Sequence, residues 1–190
     1  TGEKILITPP IGLWPKGCPT MNDSGDFLTI LQQMGLADKD DYYSRAFARN
    51  IGILAPEEQD RLASSTVAIP GMGGVGGLHL IALTRLGVGR FHLADFDRFD
   101  PVNVNRQYGA RTTSFGRPKL EVMAEEALAI NPYLELRRFP EGLSPENMDQ
   151  FLDRVDVVLD GLDFFAFEPR RRLFQSARAA GIPVVTAGPL

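Results

Sequence analysis

The chain predicts an α/β fold: a Rossmann-like, doubly wound, mainly parallel sheet with helices on both faces, preceded by an irregular N-terminal arm. Three observations carry this expectation. From about residue 65 onward, short apolar runs, the last two of them β-branched, alternate with stretches of helical period. The first of these runs ends in the glycine-rich turn Gly71-Met72-Gly73-Gly74-Val75-Gly76. The polar residues able to carry chemistry fall just past the ends of the later runs, where ligands sit in sheets of this kind.

Residues 1–50 hold Pro9, Pro10, Pro15 and Pro19 and no sustained period, and are expected to be an arm or appendage with one short helix around Phe27 to Leu36. Residues 51–190 are the expected nucleotide-binding domain. Pro56 to Ala63 reads as a short helix, since proline suits a first turn and Glu57 and Glu58 favour the positive end of the dipole. Val67-Ala68-Ile69 is a strand that runs into the glycines, and Val75, Leu78, Ile81, Ala82 and Leu86 then recur with helical spacing. Pro70 is tolerable there because the donor it removes lies at a strand end. Phe91 to Ala94 is a second strand, Lys119 to Ile130 a helix stopped at Asn131-Pro132, and Leu134 to Phe139 a third strand. Ser144-Pro145 reads as the start of a helix reaching about Arg154. Asp156 to Asp160 and Ile182 to Thr186 are further strands, separated by a helix from about Glu168 to Ala180. This alternation implies parallel strands joined by right-handed crossovers.

Composition narrows the possible partners. The chain of 190 residues suits one ordinary domain, or a domain with an appendage. Its formal charge of -4, with both signs interspersed, offers no broad basic face for a nucleic acid or an anionic membrane. The single Cys18 leaves no internal disulfide and no cysteine-rich zinc site, and agrees with a reducing cytoplasm. No stretch approaches the ~20 apolar residues of a membrane span, and the start lacks the order of a signal peptide. A soluble, cytoplasmic protein is therefore expected. The start at Thr1 and the stop at Leu190, just after a strand, suggest part of a longer chain.

The glycines Gly71, Gly73, Gly74 and Gly76 let the backbone turn sharply and approach a phosphate or ribose. The helix behind them presents unpaired N–H groups and a positive dipole end. Asp95 follows at about the distance, some 20 residues, at which an acid binds a ribose hydroxyl in dinucleotide folds. A dehydrogenase would look the same to this point. The discriminating residues are Arg106, in Asn103-Val104-Asn105-Arg106-Gln107, and Lys119. A cofactor whose pyrophosphate already rests on a helix needs neither. An enzyme that cleaves a triphosphate can use the planar fork of Arg106 and the point charge of Lys119 against the charge that accumulates as pyrophosphate departs. Asp163, three residues after Asp160 at the end of an apolar strand, suits a magnesium ion that bridges phosphate oxygens. The plainer alternatives are solvated surface charges for Arg106 and Lys119 and a helix cap for Asp163. His79 in a helix and His92 in a strand read as packing or surface histidines.

Taken together, Gly71-Met72-Gly73-Gly74-Val75-Gly76, Leu93-Ala94-Asp95-Phe96-Asp97, Asn103-Val104-Asn105-Arg106-Gln107, Gly116-Arg117-Pro118-Lys119 and Asp160-Gly161-Leu162-Asp163 closely resemble the ThiF/MoeB/HesA adenylyltransferases, bacterial relatives of ubiquitin-activating enzymes. The resemblance spans roughly residues 42–190 and rests on joint spacing. It implies that Asp95 holds the ATP ribose, that Asn103 and Arg106 meet the phosphates, that Lys119 is the essential phosphate-binding lysine, and that Asp163 positions magnesium. Arg49-Asn50-Ile51-Gly52 resembles the family's opening segment, whose arginine reaches the ATP site of the second subunit, and Arg49 takes that role. The implied enzyme is a homodimer that binds ATP and Mg2+ and activates a carboxylate, commonly the C-terminal glycine of a small ubiquitin-like or sulfur-carrier protein. An acyl-adenylate forms and pyrophosphate leaves.

The chain departs from the family at several points. Relatives often carry two CxxC pairs for zinc or a catalytic cysteine; Cys18 lies in the arm, so zinc is expected only if its ligands lie beyond residue 190. The place after the magnesium aspartate, often asparagine, holds Phe164. Two other readings compete with adenylation: an NAD-dependent oxidoreductase using the same glycine turn, in which Arg106 and Lys119 would be dispensable, and a non-catalytic relative.

Overall fold

The computed structural model describes residues 30–187. The chain divides into two compact units, one ending at Arg49 and the other starting at Asn50. In the first, helix α1 (Lys39–Ala46) forms although no period marks it in the sequence. Its start is local chemistry: the Asp38 carboxylate accepts the Asp41 N–H at 2.8 Å, and Asp40 and Asp41 sit at the positive end of the dipole. Of the helix expected around Phe27 to Leu36, residues 30–33 are helical, and the part before residue 30 lies outside the described residues.

The second unit is built on five parallel strands in the order β3-β2-β1-β4-β5. These are β1 (Thr66–Pro70), β2 (Arg90–Ala94), β3 (Glu135–Phe139), β4 (Val157–Asp160) and β5 (Val184–Thr186). The helices are α2 (Pro56–Ser64), α3 (Gly76–Leu86), α4 (Lys119–Ile130), α5 (Met148–Leu152) and α6 (Phe167–Ala179). A strand covered on both faces sends alternate side chains into two layers. Val67 and Ile69 of β1 join Phe91 and Leu93 of β2 in one core, closed by Leu80 of α3 and Met123 of α4. Ala68 of β1 joins Ala94 and Val158 in the other, closed by Phe151 of α5 and Leu173 of α6. The doubly wound expectation therefore holds.

Two local readings need correction. The helix expected from Ser144 begins only at Met148. The Asn147 side chain accepts the Ser144 N–H at 2.9 Å and donates to the Gly142 carbonyl at 2.8 Å, and these bonds close a turn where a first helical turn would have been. The strand expected from Ile182 begins at Val184, since Pro183 has no N–H for the ladder, although its carbonyl accepts the Val158 N–H at 2.9 Å.

Neighbouring strands β1 and β4 lead off in opposite directions across the sheet, so the crevice at their carboxyl ends is the topological switch point. Three glycines meet there. Gly71 has φ +87°, and a Cβ on it would stand 2.3 Å from the Gly161 carbonyl oxygen. One on Gly76 would stand 1.8 Å from the Gly71 oxygen, and one on Gly161 2.8 Å from that same oxygen. The obstacles are backbone, which cannot rotate away. Gly76→Ala is thus expected to destabilise the fold by about 3 kcal/mol or more, whereas Gly116→Ala, at φ +78° with open space around it, should cost about 1–2 kcal/mol from its backbone conformation alone. Urea denaturation of both variants checks this; equal losses would mean the junction is not tightly packed.

His92 of β2 lies among Phe139 and Phe151, and its Nδ1 stands 2.8 Å from the Phe151 carbonyl oxygen, which makes Nδ1 the protonated nitrogen. Burial pushes its pKa below the ordinary 6.5, against the pull of that hydrogen bond. The unfolded chain then takes up a proton that the folded one resists. The stability His92 contributes is complete above pH 6.5 and is lost as the pH falls from there through the lowered folded value. Denaturation midpoints between pH 7.5 and 5 should drop in the wild type and drop less in His92→Phe.

Candidate active site

The glycine turn leaves β1 and enters α3, and Asp95, just past β2, clamps it from the side. One Asp95 carboxylate oxygen accepts the Met72 N–H at 2.6 Å and the other the Asp97 N–H at 2.7 Å. Burial raises the Asp95 pKa, while those two donors and the Lys119 charge oppose the shift. Each oxygen keeps a lone pair that a ribose hydroxyl could use.

The long segment after β2 folds back on itself. An isolated bridge pairs Arg98 with Pro118, and the Phe99 N–H donates to the Arg117 carbonyl at 3.0 Å. This return brings Lys119, the first residue of α4, beside Asp97. The Lys119 N–H donates to the Asp97 carbonyl at 2.8 Å, and its Nζ stands 3.1 Å from Asp97 Oδ2. The Lys119 side chain is only 8% exposed against 54% for Asp97, so the ammonium is sheltered and its counterion faces solvent. A sheltered cation beside an exchangeable counterion is a suitable receptor for phosphate.

Within the same segment, Asn103 is buried. Its Oδ1 accepts the Asp100 N–H at 3.0 Å while Asp100 accepts the Val102 N–H at 2.9 Å, a reciprocal box that closes the short 3-10 turn Pro101–Asn103. The Asn103 carbonyl then accepts from both Arg106 and Gln107. Asn103 thus closes the turn that leads into Arg106. Arg106 itself is exposed and donates to the Val102 carbonyl and to Asn105 Oδ1. Its own carbonyl oxygen lies 3.3 Å from where a Cβ on Gly74 would be. The Gln107 amide packs against Gly73, and among the described residues its buried Oε1 has no hydrogen-bond partner.

Asp163 follows β4 on the opposite side of the switch point. It is exposed, with Oδ1 accepting the Phe165 N–H at 3.0 Å, and among the described residues Oδ2 has no hydrogen-bond donor. No cluster of three or more His, Cys, Asp or Glu that could hold a metal ion exists among the described residues. Magnesium suits this setting, since it is commonly held by one carboxylate, water and the phosphates of its substrate rather than by an all-protein cage. Arg49 is exposed and belongs to the first unit.

Contacts within the second unit thus link Gly74 to Arg106, Met72 to Asp95, Asp95 through Asp97 to Lys119, and Gly71 to the loop of Asp163. Three participants escaped the sequence reading. Asp97 is the counterion of Lys119, and its place two residues after Asp95 at a strand end was the available signal. Gln107 sits under the turn. Arg170, in the first turn of α6, binds Asp160 at 2.7 Å and the carbonyls of residues 162–164; nothing in the run Arg170-Arg171-Arg172 marks which arginine turns inward.

Comparison with known proteins gives the family. Residues 44–190 match the model of the ThiF family. The chain is 35% identical over 142 residues to the tRNA threonylcarbamoyladenosine dehydratase of Bacillus subtilis, covering 74% of this chain and 55% of that protein. It is 33% identical over 147 residues to the sulfur carrier protein adenylyltransferase of Thermus thermophilus, covering 77% and 52%. The crystal structure of the E. coli tRNA N6-threonylcarbamoyladenosine dehydratase TcdA in complex with ATP superposes with a TM-score of 0.73 at 30% identity, covering 78% of this chain and 61% of that one. The chain spans about half the length of the curated relatives it matches. On the strength of the family model and of these relatives, the chain belongs to the ThiF family.

Proposed function

We propose that this chain carries the nucleotide site of a cytoplasmic ATP- and Mg2+-dependent adenylyltransferase that activates a carboxylate, in first place the C-terminal glycine of a small ubiquitin-like or sulfur-carrier protein. The observation that carries the reading is Lys119: a sheltered ammonium tied to an exposed Asp97 carboxylate, beside the aspartate that clamps the glycine turn. An NAD-dependent oxidoreductase with the same turn would have no use for that cation or for Arg106.

The chemistry needs two anions brought together and no protein nucleophile. The glycine turn and the start of α3 offer N–H groups and a positive dipole end to the phosphates, and Asp95 takes the ribose hydroxyls. A substrate carboxylate oxygen bonds to the α-phosphorus while the bond from that phosphorus to the bridging oxygen of the β-phosphate breaks. The bonding pair leaves with pyrophosphate. No proton moves, so no general base is required. Arg106 and Lys119 neutralise the charge gathering on the departing phosphates. Magnesium, held by Asp163, would add charge neutralisation across the phosphate oxygens. In a homodimer, Arg49 would be offered to the partner's site.

The named relatives support two substrate classes. The sulfur carrier adenylyltransferase favours a carrier protein. The tRNA threonylcarbamoyladenosine dehydratases, at comparable identity, favour a second reading in which the activated group is the threonyl carboxylate of a modified nucleoside. The step at the α-phosphorus is the same in both.

ATP–pyrophosphate exchange by the full-length protein tests the proposal. Exchange should depend on a carrier with a free C-terminal carboxylate, or on a threonylcarbamoylated tRNA under the second reading. Lys119→Ala and Arg106→Ala should each lower kcat by about 100- to 1,000-fold. Chelation of magnesium should stop exchange, and added Mg2+ should restore it. No exchange with either substrate class, together with NAD binding that tolerates loss of both cations, would overturn the proposal in favour of an oxidoreductase.

A further inference from the structure

We infer that Arg170 is a positioning residue for the magnesium-binding aspartate, an inference that rests on the adenylation reading above. The loop after β4, residues 161–165, has no ladder or helix to fix it. One guanidinium does so instead. Arg170 Nη2 donates to the Leu162 and Asp163 carbonyls at 2.8 and 3.0 Å, and Nη1 to the Phe164 carbonyl at 3.1 Å. Nε donates to Asp160 Oδ2 at 2.7 Å.

The anchor beneath the arginine is fully buried. The Asp160 side chain has no exposure; its Oδ1 accepts the Leu162 N–H at 3.1 Å, and its Oδ2 also accepts the Thr186 hydroxyl at 3.0 Å. Asp160 and Arg170 therefore lock together the end of β4, the start of α6 and the end of β5. Three consecutive carbonyls point at one planar fork, so the backbone on both sides of Asp163 is held. The Asp163 carboxylate is then tied by one oxygen to the Phe165 N–H, leaving the other for a ligand.

A point charge would neutralise Asp160 equally well. It could not bond four acceptors spread along the loop, which is the property that sets arginine apart from lysine here. Substitution by lysine separates the two roles. If Arg170 only compensates a buried charge, Arg170→Lys should behave as the wild type. If it positions Asp163, magnesium binding should suffer while nucleotide binding does not. Phe164 and Phe165, exposed rings in edge contact on the same loop, are held by the same clamp.

The test is calorimetric titration of ATP into the full-length protein at several Mg2+ concentrations, with thermal melts alongside. The wild type should bind ATP more tightly with Mg2+, and Asp163→Ala should lose that gain. Arg170→Lys should bind metal-free ATP within about twofold of the wild type but need about tenfold more Mg2+ for the half-maximal gain, the size expected when the support of a metal ligand is removed. Asp163→Ala/Arg170→Lys should be no worse than Asp163→Ala. Asp160→Asn, which loosens the anchor yet keeps an acceptor, should move the Mg2+ requirement in the same direction, and it carries the comparison if Arg170→Lys does not fold. A normal Mg2+ requirement in the folded variants, or effects of Arg170 and Asp163 that add, would overturn the inference alone. A wild type that gains nothing from Mg2+ would overturn the adenylation reading and this inference with it.

Discussion

The site depends on one contact of backbone with backbone, where the end of β1, the start of α3 and the end of β4 come together at Gly71, Gly76 and Gly161. No side chain fits between them. Because they approach so closely, the glycine turn after β1 and the loop carrying Asp163 after β4 open into the same crevice, although some ninety residues separate them in the chain. The order of the strands reverses at that point. Position in the sheet and freedom from side chains together set this junction where ligands bind in doubly wound folds.

Around that junction, aspartates hold the loops that secondary structure does not. Asp95 clamps the glycine turn, Asp100 caps the turn before Arg106, Asp160 fixes Leu162, and Asp163 fixes Phe165, each by accepting a backbone N–H. A hydrogen bond to an ionised carboxylate contributes about 1.5–3 kcal/mol, roughly twice a neutral one, which suits short carboxylates to loops that lack a ladder. The cations then divide by function. Arg170 is consumed in holding the Asp163 loop, whereas Lys119 and Arg106 keep partners that phosphate oxygens could replace.

The sheet was legible because period and punctuation agree there. The apolar runs of β1 to β4 end in or are followed directly by proline or aspartate, and the helices between them carry apolar residues at helical spacing. The candidate site residues stand out in the sequence because they lie at strand ends or in the loops beyond them. What escaped notice depends on side chains folding back over long distances or on local turns. Helix α1 rests on an aspartate cap rather than an apolar stripe, and Asn147 closes a turn where Ser144-Pro145 suggested a helix. Arg170 lies beside Arg171 and Arg172, which pair instead with Glu168 at the surface, and one sequence cannot say which of three adjacent arginines faces inward. The capping box that Asn103 closes with Asp100 was not visible either.

The central claim is that one crevice binds ATP with its phosphates between the glycine turn and Lys119. A crystal structure of the full-length protein soaked with ATP and Mg2+ tests it most directly. The account predicts the ribose on Asp95, phosphate oxygens within hydrogen-bond reach of Lys119 Nζ and the Arg106 guanidinium, and a metal ion on Asp163. ATP bound with its phosphates turned away from Lys119, or bound outside the crevice between β1 and β4, would contradict it.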